Sequence, residues 1–138
     1  MGLAWTIDLG TKRGIQSTPL VVDGIMFMSG PWSVVYAIDA RKGELLWTFD
    51  PEVDRSRAMV NCCGVVNRGV ALYKGSVFVA TLDGSVYSLD AADGSVNWEA
   101  VAFEANGTYY SSTGAIRLFD GKVLIGNGGA EFHARGYV

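Results

Sequence analysis

Leu20-Val21-Val22-Asp23-Gly24-Ile25-Met26-Phe27 decides the fold, because the chain repeats its pattern twice. The copies are Ala71-Leu72-Tyr73-Lys74-Gly75-Ser76-Val77-Phe78 and Arg117-Leu118-Phe119-Asp120-Gly121-Lys122-Val123-Leu124. In each, Asp-Gly or Lys-Gly separates two apolar runs. Glycine tolerates positive φ, so each copy reads as a tight β-hairpin. Gly24, Gly75 and Gly121 stand 51 and 46 residues apart. Downstream of the first two hairpins come Val35-Tyr36-Ala37-Ile38-Asp39 and Val86-Tyr87-Ser88-Leu89-Asp90. These lead into Lys42-Gly43-Glu44-Leu45-Leu46-Trp47 and Asp93-Gly94-Ser95-Val96-Asn97-Trp98. Trp47 and Trp98 are again 51 residues apart, and Trp5 after Ala4 has the look of the end of an earlier copy.

Each unit therefore holds about four short strands, and no helical period competes with them. Four strands in roughly 40–50 residues is the arithmetic of a β-propeller blade. The expectation is an all-β chain, a partial propeller over residues 1–138, with approximate units at 16–50, 64–100 and 113–138. About three blades of a larger ring are supplied. The recurring tryptophan is read as structural, packing between neighbouring blades.

Composition agrees and excludes other classes. Eighteen glycines in 138 residues are about twice the usual ~7%. Eleven basic against fourteen acidic residues give a net charge of −3, which argues against an electrostatic nucleic-acid binder. No apolar run approaches the ~20 residues needed to span a bilayer. The N-terminal Met1-Gly2-Leu3-Ala4-Trp5-Thr6 lacks the basic and apolar regions of a secretory signal, and it meets a myristoylation pattern only formally. Arg135-Gly136-Tyr137-Val138 reads as the start of a strand, so the chain is expected to be a piece of a longer protein.

Cys62-Cys63 is the most unusual pair. Neighbouring Cα atoms lie about 3.8 Å apart, whereas an ordinary disulfide wants about 4.4–6.8 Å. A bond between them would close a small strained ring, and such strain persists where the surroundings enforce it. Two reduced neighbours are the other reading, and spacing alone leaves both open. The single histidine, His133, offers no zinc set.

Several segments together resemble the pyrroloquinoline quinone (PQQ) dependent alcohol dehydrogenases, the quinohaemoprotein and methanol-dehydrogenase-like enzymes among them. Asn61-Cys62-Cys63-Gly64-Val65-Val66-Asn67-Arg68-Gly69 is similar to their vicinal-cysteine segment. Gly126-Asn127-Gly128-Gly129-Ala130-Glu131-Phe132 is similar to their glycine-rich glutamate segment, continued by Arg135-Gly136-Tyr137-Val138. Thr18-Pro19-Leu20-Val21-Val22-Asp23-Gly24 resembles their first blade, and the Asp39, Gly43, Trp47 and Asp90, Gly94, Trp98 spacings resemble their tryptophan-docking repeat. The resemblance runs from Trp5 to Val138 and implies an eight-bladed propeller several times longer than this chain.

Roles follow from the resemblance residue by residue. Cys62 and Cys63 match a vicinal disulfide covering one face of the quinone. Arg68 matches an arginine that contacts the quinone oxygens, where a fixed cation stabilises negative charge. Thr113 matches a threonine hydrogen-bonded to the cofactor, with Ser111 and Ser112 close enough for the register to slip. Gly128, Gly129 and Ala130 match backbone lying against a cofactor carboxylate, a close approach that small residues permit. Glu131 matches a calcium-ligating glutamate, and calcium is a hard ion that wants oxygen. Gln16 stands where the family commonly carries a glutamate that touches the cofactor. An amide there hydrogen-bonds but carries no charge.

The implied cofactors are PQQ and calcium. No Cys-x-x-Cys-His is present, so haem c could only belong to a C-terminal region beyond Val138. The implied catalytic base, an aspartate, and the remaining calcium ligands also lie beyond Val138, leaving no catalytic residue within this chain. The implied partners are an alcohol substrate, primary by expectation, and a cytochrome or quinone electron acceptor. Nucleic acid is excluded, membrane association would come only through other regions or subunits, and the implied compartment is the periplasm. The competing classes are a non-catalytic propeller of the outer-membrane assembly type, which shares the tryptophan repeats but has no use for Cys62-Cys63 beside Arg68, and a WD-repeat scaffold, whose Trp-Asp signature is missing.

Overall fold

The computed structural model describes residues 2–61, 63–103 and 109–138. Ten strands are formed among them, in three antiparallel sheets. The first sheet is a meander of β1 (Leu20–Val22), β2 (Ile25–Ser29), β3 (Val35–Asp39) and β4 (Leu45–Phe49). The second repeats it with β5 (Ala71–Tyr73), β6 (Ser76–Ala80), β7 (Ser85–Asp90) and β8 (Val96–Val101). The third is the hairpin of β9 (Arg117–Phe119) and β10 (Lys122–Leu124). Helical structure among the described residues is confined to 3-10 segments at Pro31–Ser33, Arg55–Val60 and Ala130–Phe132. No helix among them is long and apolar enough to cross a membrane. Residues Arg135 to Val138, expected to open a strand, form none. Instead the Tyr137 N–H donates to Asn127 Oδ1 at 2.9 Å, which ties this stretch to a loop.

The repeated hairpins turn as the sequence dictates. At Asp23-Gly24, Lys74-Gly75 and Asp120-Gly121 both turn residues have positive φ: 51° and 82°, 48° and 77°, 49° and 69°. That is the two-residue turn whose twist matches paired strands. The repeat extends to irregularities. Register slips between Ala37 and Ile38 in the first sheet, and between Ser88 and Leu89, 51 residues later, in the second.

The sheets stack as successive layers, so the central strands are buried on both faces. Side chains alternate across a strand. Val35 and Ala37 of β3 accordingly face the second sheet, with Phe27 and Trp47, against Val70, Val77, Val79 and Leu89. Tyr36 and Ile38 face the other way, where Met28 joins them beneath Trp5, Ile7 and Leu9. The same division holds for β6: Val77 and Val79 point to the first sheet, whereas Phe78 and Ala80 pack with Val86 against Ile116, Leu118 and Val123. Burying each such large side chain stabilises the fold by about 1.5–3 kcal/mol.

The tryptophans lock one unit to the next. Trp5 Nε1 donates to the Ala40 carbonyl at 3.0 Å and Trp47 Nε1 to that of Ala91 at 3.1 Å. Each ring lies flat on a glycine of the following sheet. A Cβ on Gly43 would stand 2.5 Å from Trp5, and one on Gly94 would stand 2.6 Å from Trp47. Trp98, half exposed, meets Phe78 at a ring separation of 5.9 Å.

Candidate functional site

β1, β5 and β9 are edge strands of their sheets, and their entrances are stitched together by backbone, so they form the inner edge on which the three sheets converge. The Thr18 N–H donates to the Arg68 carbonyl at 3.1 Å, and the Arg68 N–H donates to the Thr113 carbonyl at 3.0 Å. Three units separated by some 50 residues in sequence thus meet at Arg68. Its guanidinium folds onto the same neighbour: Nη1 donates to Thr113 Oγ1 at 2.6 Å and to the Thr113 carbonyl at 3.2 Å. A charge-assisted bond of that length holds the cation in one place. Thr113 Oγ1 accepts from Arg68, so its own proton is left to donate elsewhere. Both residues are half-buried. Thr18, Leu20, Arg68, Gly69, Val70, Ala115 and Arg117 line a concavity of about 460 Å³ along these inner strands.

Gln16 is exposed just before β1 and lines a second concavity, of about 250 Å³, together with Cys63, Gly64, Val65, Val66 and Arg13. The structure therefore brings Gln16 to the vicinal-cysteine segment. Cys62 lies outside the described residues, and with it the pairing expected of Cys63. Asn61, immediately before, is 7% exposed, and neither its Nδ2 nor its Oδ1 has a hydrogen-bond partner in the protein. Beside this concavity the Trp32 ring is flanked by two guanidinium groups, Arg55 at 4.5 Å and Arg13 at 5.6 Å from its centroid.

The glycine-rich segment is held from behind. The Gly128 N–H donates to the Ser111 carbonyl at 2.6 Å. Gly129 is buried with φ 112°, and a Cβ there would fall 2.2 Å from the Tyr109 carbonyl oxygen. Only glycine fits that approach. Ala130 and Glu131 follow in a 3-10 turn, both exposed, so the Glu131 carboxylate is presented outward and not spent on an internal bond. No group of three or more His, Cys, Asp or Glu side chains able to hold a metal occurs among the described residues.

The site residues thus fall in three places: Arg68 with Thr113, Gln16 with Cys63, and Gly128 to Glu131 behind Ser111. A larger concavity, of about 830 Å³, is elsewhere, lined by Asp23, Tyr73, Ser88 and Trp98, and contains none of them. Sequence reading missed Asn67, Ser17, Ser29 and Ser33, which lie behind Arg68. For Ser29, Ser33 and Asn67 the signal was present but faint, a polar residue next to apolar ones; Ser17, in the polar run Gln16-Ser17-Thr18, gave none.

Stacked four-stranded antiparallel sheets, each locked to the next by a tryptophan on a glycine, are blades of a β-propeller. The family described as PQQ glucose/ethanol/alcohol dehydrogenase, beta-propeller domain, matches residues 1–115, and the chain belongs to it. It is 51% identical over 138 residues to the 1-butanol dehydrogenase (cytochrome c) of Thauera butanivorans, covering all of this chain and 20% of that protein. It superposes on the quinohemoprotein alcohol dehydrogenase of Comamonas testosteroni with a TM-score of 0.93 at 54% identity, covering 98% of this chain and 20% of the other. A europium-containing methanol dehydrogenase matches with a TM-score of 0.89 at 36% identity, covering 98% of this chain and 24% of the other. The chain thus spans about one fifth of the length of the curated relatives it matches. Both of these curated relatives are named dehydrogenases.

Proposed function

We propose that this chain is part of a PQQ-dependent alcohol dehydrogenase that oxidises primary alcohols to aldehydes in the periplasm. The observation that carries the proposal is the Arg68–Thr113 clamp, set where three inner strands begin, in a chain about half identical to named alcohol dehydrogenases.

The residues present fit an anionic planar quinone. Arg68 supplies a positive charge whose position is fixed before any ligand arrives, and Thr113 keeps a proton to donate beside it. Gln16 offers an amide at the concavity it shares with Cys63. Gly128 to Ala130 offer a stretch of backbone with small or no side chains, seated on Tyr109 at Gly129, and Glu131 contributes one carboxylate toward calcium. When bound, PQQ supplies the two-electron acceptor and calcium a Lewis acid. This chain's part is to hold and orient that group and to exclude water on one side. The proton acceptor for the alcohol and the other metal ligands are assigned to residues outside this chain. The cytochrome c named for the Thauera relative makes a cytochrome the first acceptor to test, with a quinone as the second.

The test is reconstitution of the full-length protein carrying these residues with PQQ and calcium, followed by dye-linked oxidation of 1-butanol. Activity that needs both additions is expected. Glu131→Ala is expected to weaken calcium and PQQ retention together, by about tenfold or more. Calcium dependence unchanged by that substitution removes Glu131 from the metal site, and a wild-type protein that takes up no PQQ overturns the proposal.

A further inference from the structure

Directly behind Arg68 lies a buried amide that no role above uses. Asn67 is 1% exposed. Its Nδ2 donates to the Ala80 carbonyl at 2.7 Å and to Ser33 Oγ at 3.1 Å, while its Oδ1 accepts from the Gly69 N–H at 3.1 Å. A backbone carbonyl can only accept and an N–H can only donate, so these partners fix which way the amide points. The Asn67 carbonyl oxygen lies 3.3 Å from the Ser29 hydroxyl. Ser29 in turn reaches Ser17, its N–H donating to Ser17 Oγ at 3.0 Å and its hydroxyl standing 3.1 Å away. Ser29 and Ser33 are fully buried. One connected polar network thus runs from Ser17, beside Gln16, through the first sheet to Asn67 and Arg68.

The repeat provides an internal control. Gly30 N–H bonds the Val34 carbonyl in the first unit, and 51 residues later Thr81 N–H bonds that of Ser85. Within this turn the second unit has Gly84 at φ 93°, and the corresponding position in the first is Ser33 at φ 62°, preceded by Trp32 at φ 64°. Two consecutive side-chain-bearing residues in the left-handed region are unfavourable. The second unit accommodates glycine at the position of Ser33, with Asp83 before it outside the left-handed region that Trp32 occupies. What the serine adds is the hydroxyl that receives Asn67. Strain kept where a less strained residue serves the backbone marks a constraint other than folding.

We infer that Asn67 is a positioning residue: held by Ser33, Ala80 and Gly69, it sets the backbone from which Arg68 reaches the PQQ quinone and, through Ser29 and Ser17, ties that cation to the segment bearing Gln16. This rests on the function proposed above. It predicts that Asn67 acts on cofactor binding through Arg68 and not merely through stability.

The experiment titrates the full-length apo-protein with PQQ, following quenching of tryptophan fluorescence, for wild type, Asn67→Ala, Arg68→Ala and the double variant, with thermal midpoints measured alongside. Asn67→Ala is expected to weaken PQQ binding about tenfold, and the double variant to bind no more weakly than Arg68→Ala alone. Ser33→Gly separates the two effects, since it relieves the left-handed serine yet removes the hydroxyl. It is expected to keep or raise the thermal midpoint while weakening PQQ binding about threefold, and to add nothing to Arg68→Ala. If Asn67→Ala does not fold, the Ser33→Gly pair decides. Wild type that binds PQQ, with Asn67→Ala and Ser33→Gly binding equally well or with losses that multiply in the double variants, overturns this inference and leaves the proposed function standing. Wild type that binds no PQQ overturns both.

Discussion

Gly94 and Gly121 show how differently one residue type is constrained at two turns of one chain. Both have positive φ, 77° and 69°. A side chain at either suffers the left-handed penalty of about 1–2 kcal/mol. Around Gly121 there is nothing within 4 Å, whereas a Cβ on Gly94 would lie 2.6 Å from the Trp47 ring. That ring cannot withdraw easily, being anchored through Nε1 to the Ala91 carbonyl and packed on Phe27 at 6.0 Å. Gly94→Ala is therefore expected to destabilise the full-length protein by about 2–4 kcal/mol, because overpacking adds to the backbone term, and Gly121→Ala by only about 1 kcal/mol. Urea midpoints of the two variants check this. Equal losses would mean that the tryptophan yields and is not a lock.

At the scale of elements, the turn between the third and fourth strands of each four-stranded sheet carries its own charge. Asp39 Oδ1 accepts from the backbone N–H groups of Arg41 and Lys42 at 2.8 and 3.0 Å, and Asp39 N–H closes the turn on the Glu44 carbonyl at 2.8 Å. Those backbone bonds hold the Asp39 carboxyl below its ordinary value. Asp93, in the corresponding turn of the second sheet, is lowered by the Ser95 hydroxyl and N–H. A carboxyl depressed on folding stabilises above the unfolded carboxylate range, and the contribution is lost as pH falls through its folded value. From these groups the urea midpoint should stay level from pH 7 to about 5 and fall below about pH 4. Asp39→Asn should reduce the acid fall while keeping most of the stability at pH 7, since its amide oxygen still accepts. An unchanged acid slope would remove Asp39 as a contributor. These turns and the hairpins were legible in the sequence because Asp, Gly and Trp act locally and recur at a fixed spacing. Asn67, Ser29 and Ser33 were not, because their partners lie up to 38 residues away and only folding shows which polar side chains share a layer. The 3-10 segment Arg55–Val60 was hidden for another reason: it has no apolar period, and its start is set by Asp54, whose side chain accepts from the Ser56 N–H. Resemblance singled out Arg68 and Thr113 separately, but it did not show the bond between them.

At the scale of the molecule, the described residues form two four-stranded sheets and one hairpin, and a propeller ring closes with about 4–8 blades. Expressed alone, the 138 residues are expected not to oxidise alcohols even with PQQ and calcium supplied. Three arguments converge. The face carrying β8 is open, with Val96, Trp98 and Val101 at 49, 41 and 64% exposure, so the isolated chain should self-associate through it. The cation clamp stands on inner strands that in a ring face a central axis, and three inner strands enclose only part of one. Glu131 is a lone carboxylate, because no group of metal-binding side chains assembles among the described residues, and a hard cation needs several oxygens. Size-exclusion chromatography should therefore show species larger than a 14.8 kDa monomer, and dye reduction with 1-butanol should not exceed a no-protein control. Chelator-sensitive turnover by the purified 138 residues would overturn this. It would mean that copies of the chain complete one another's ring, with the open β8 face of one seated on the Trp5 side of the next.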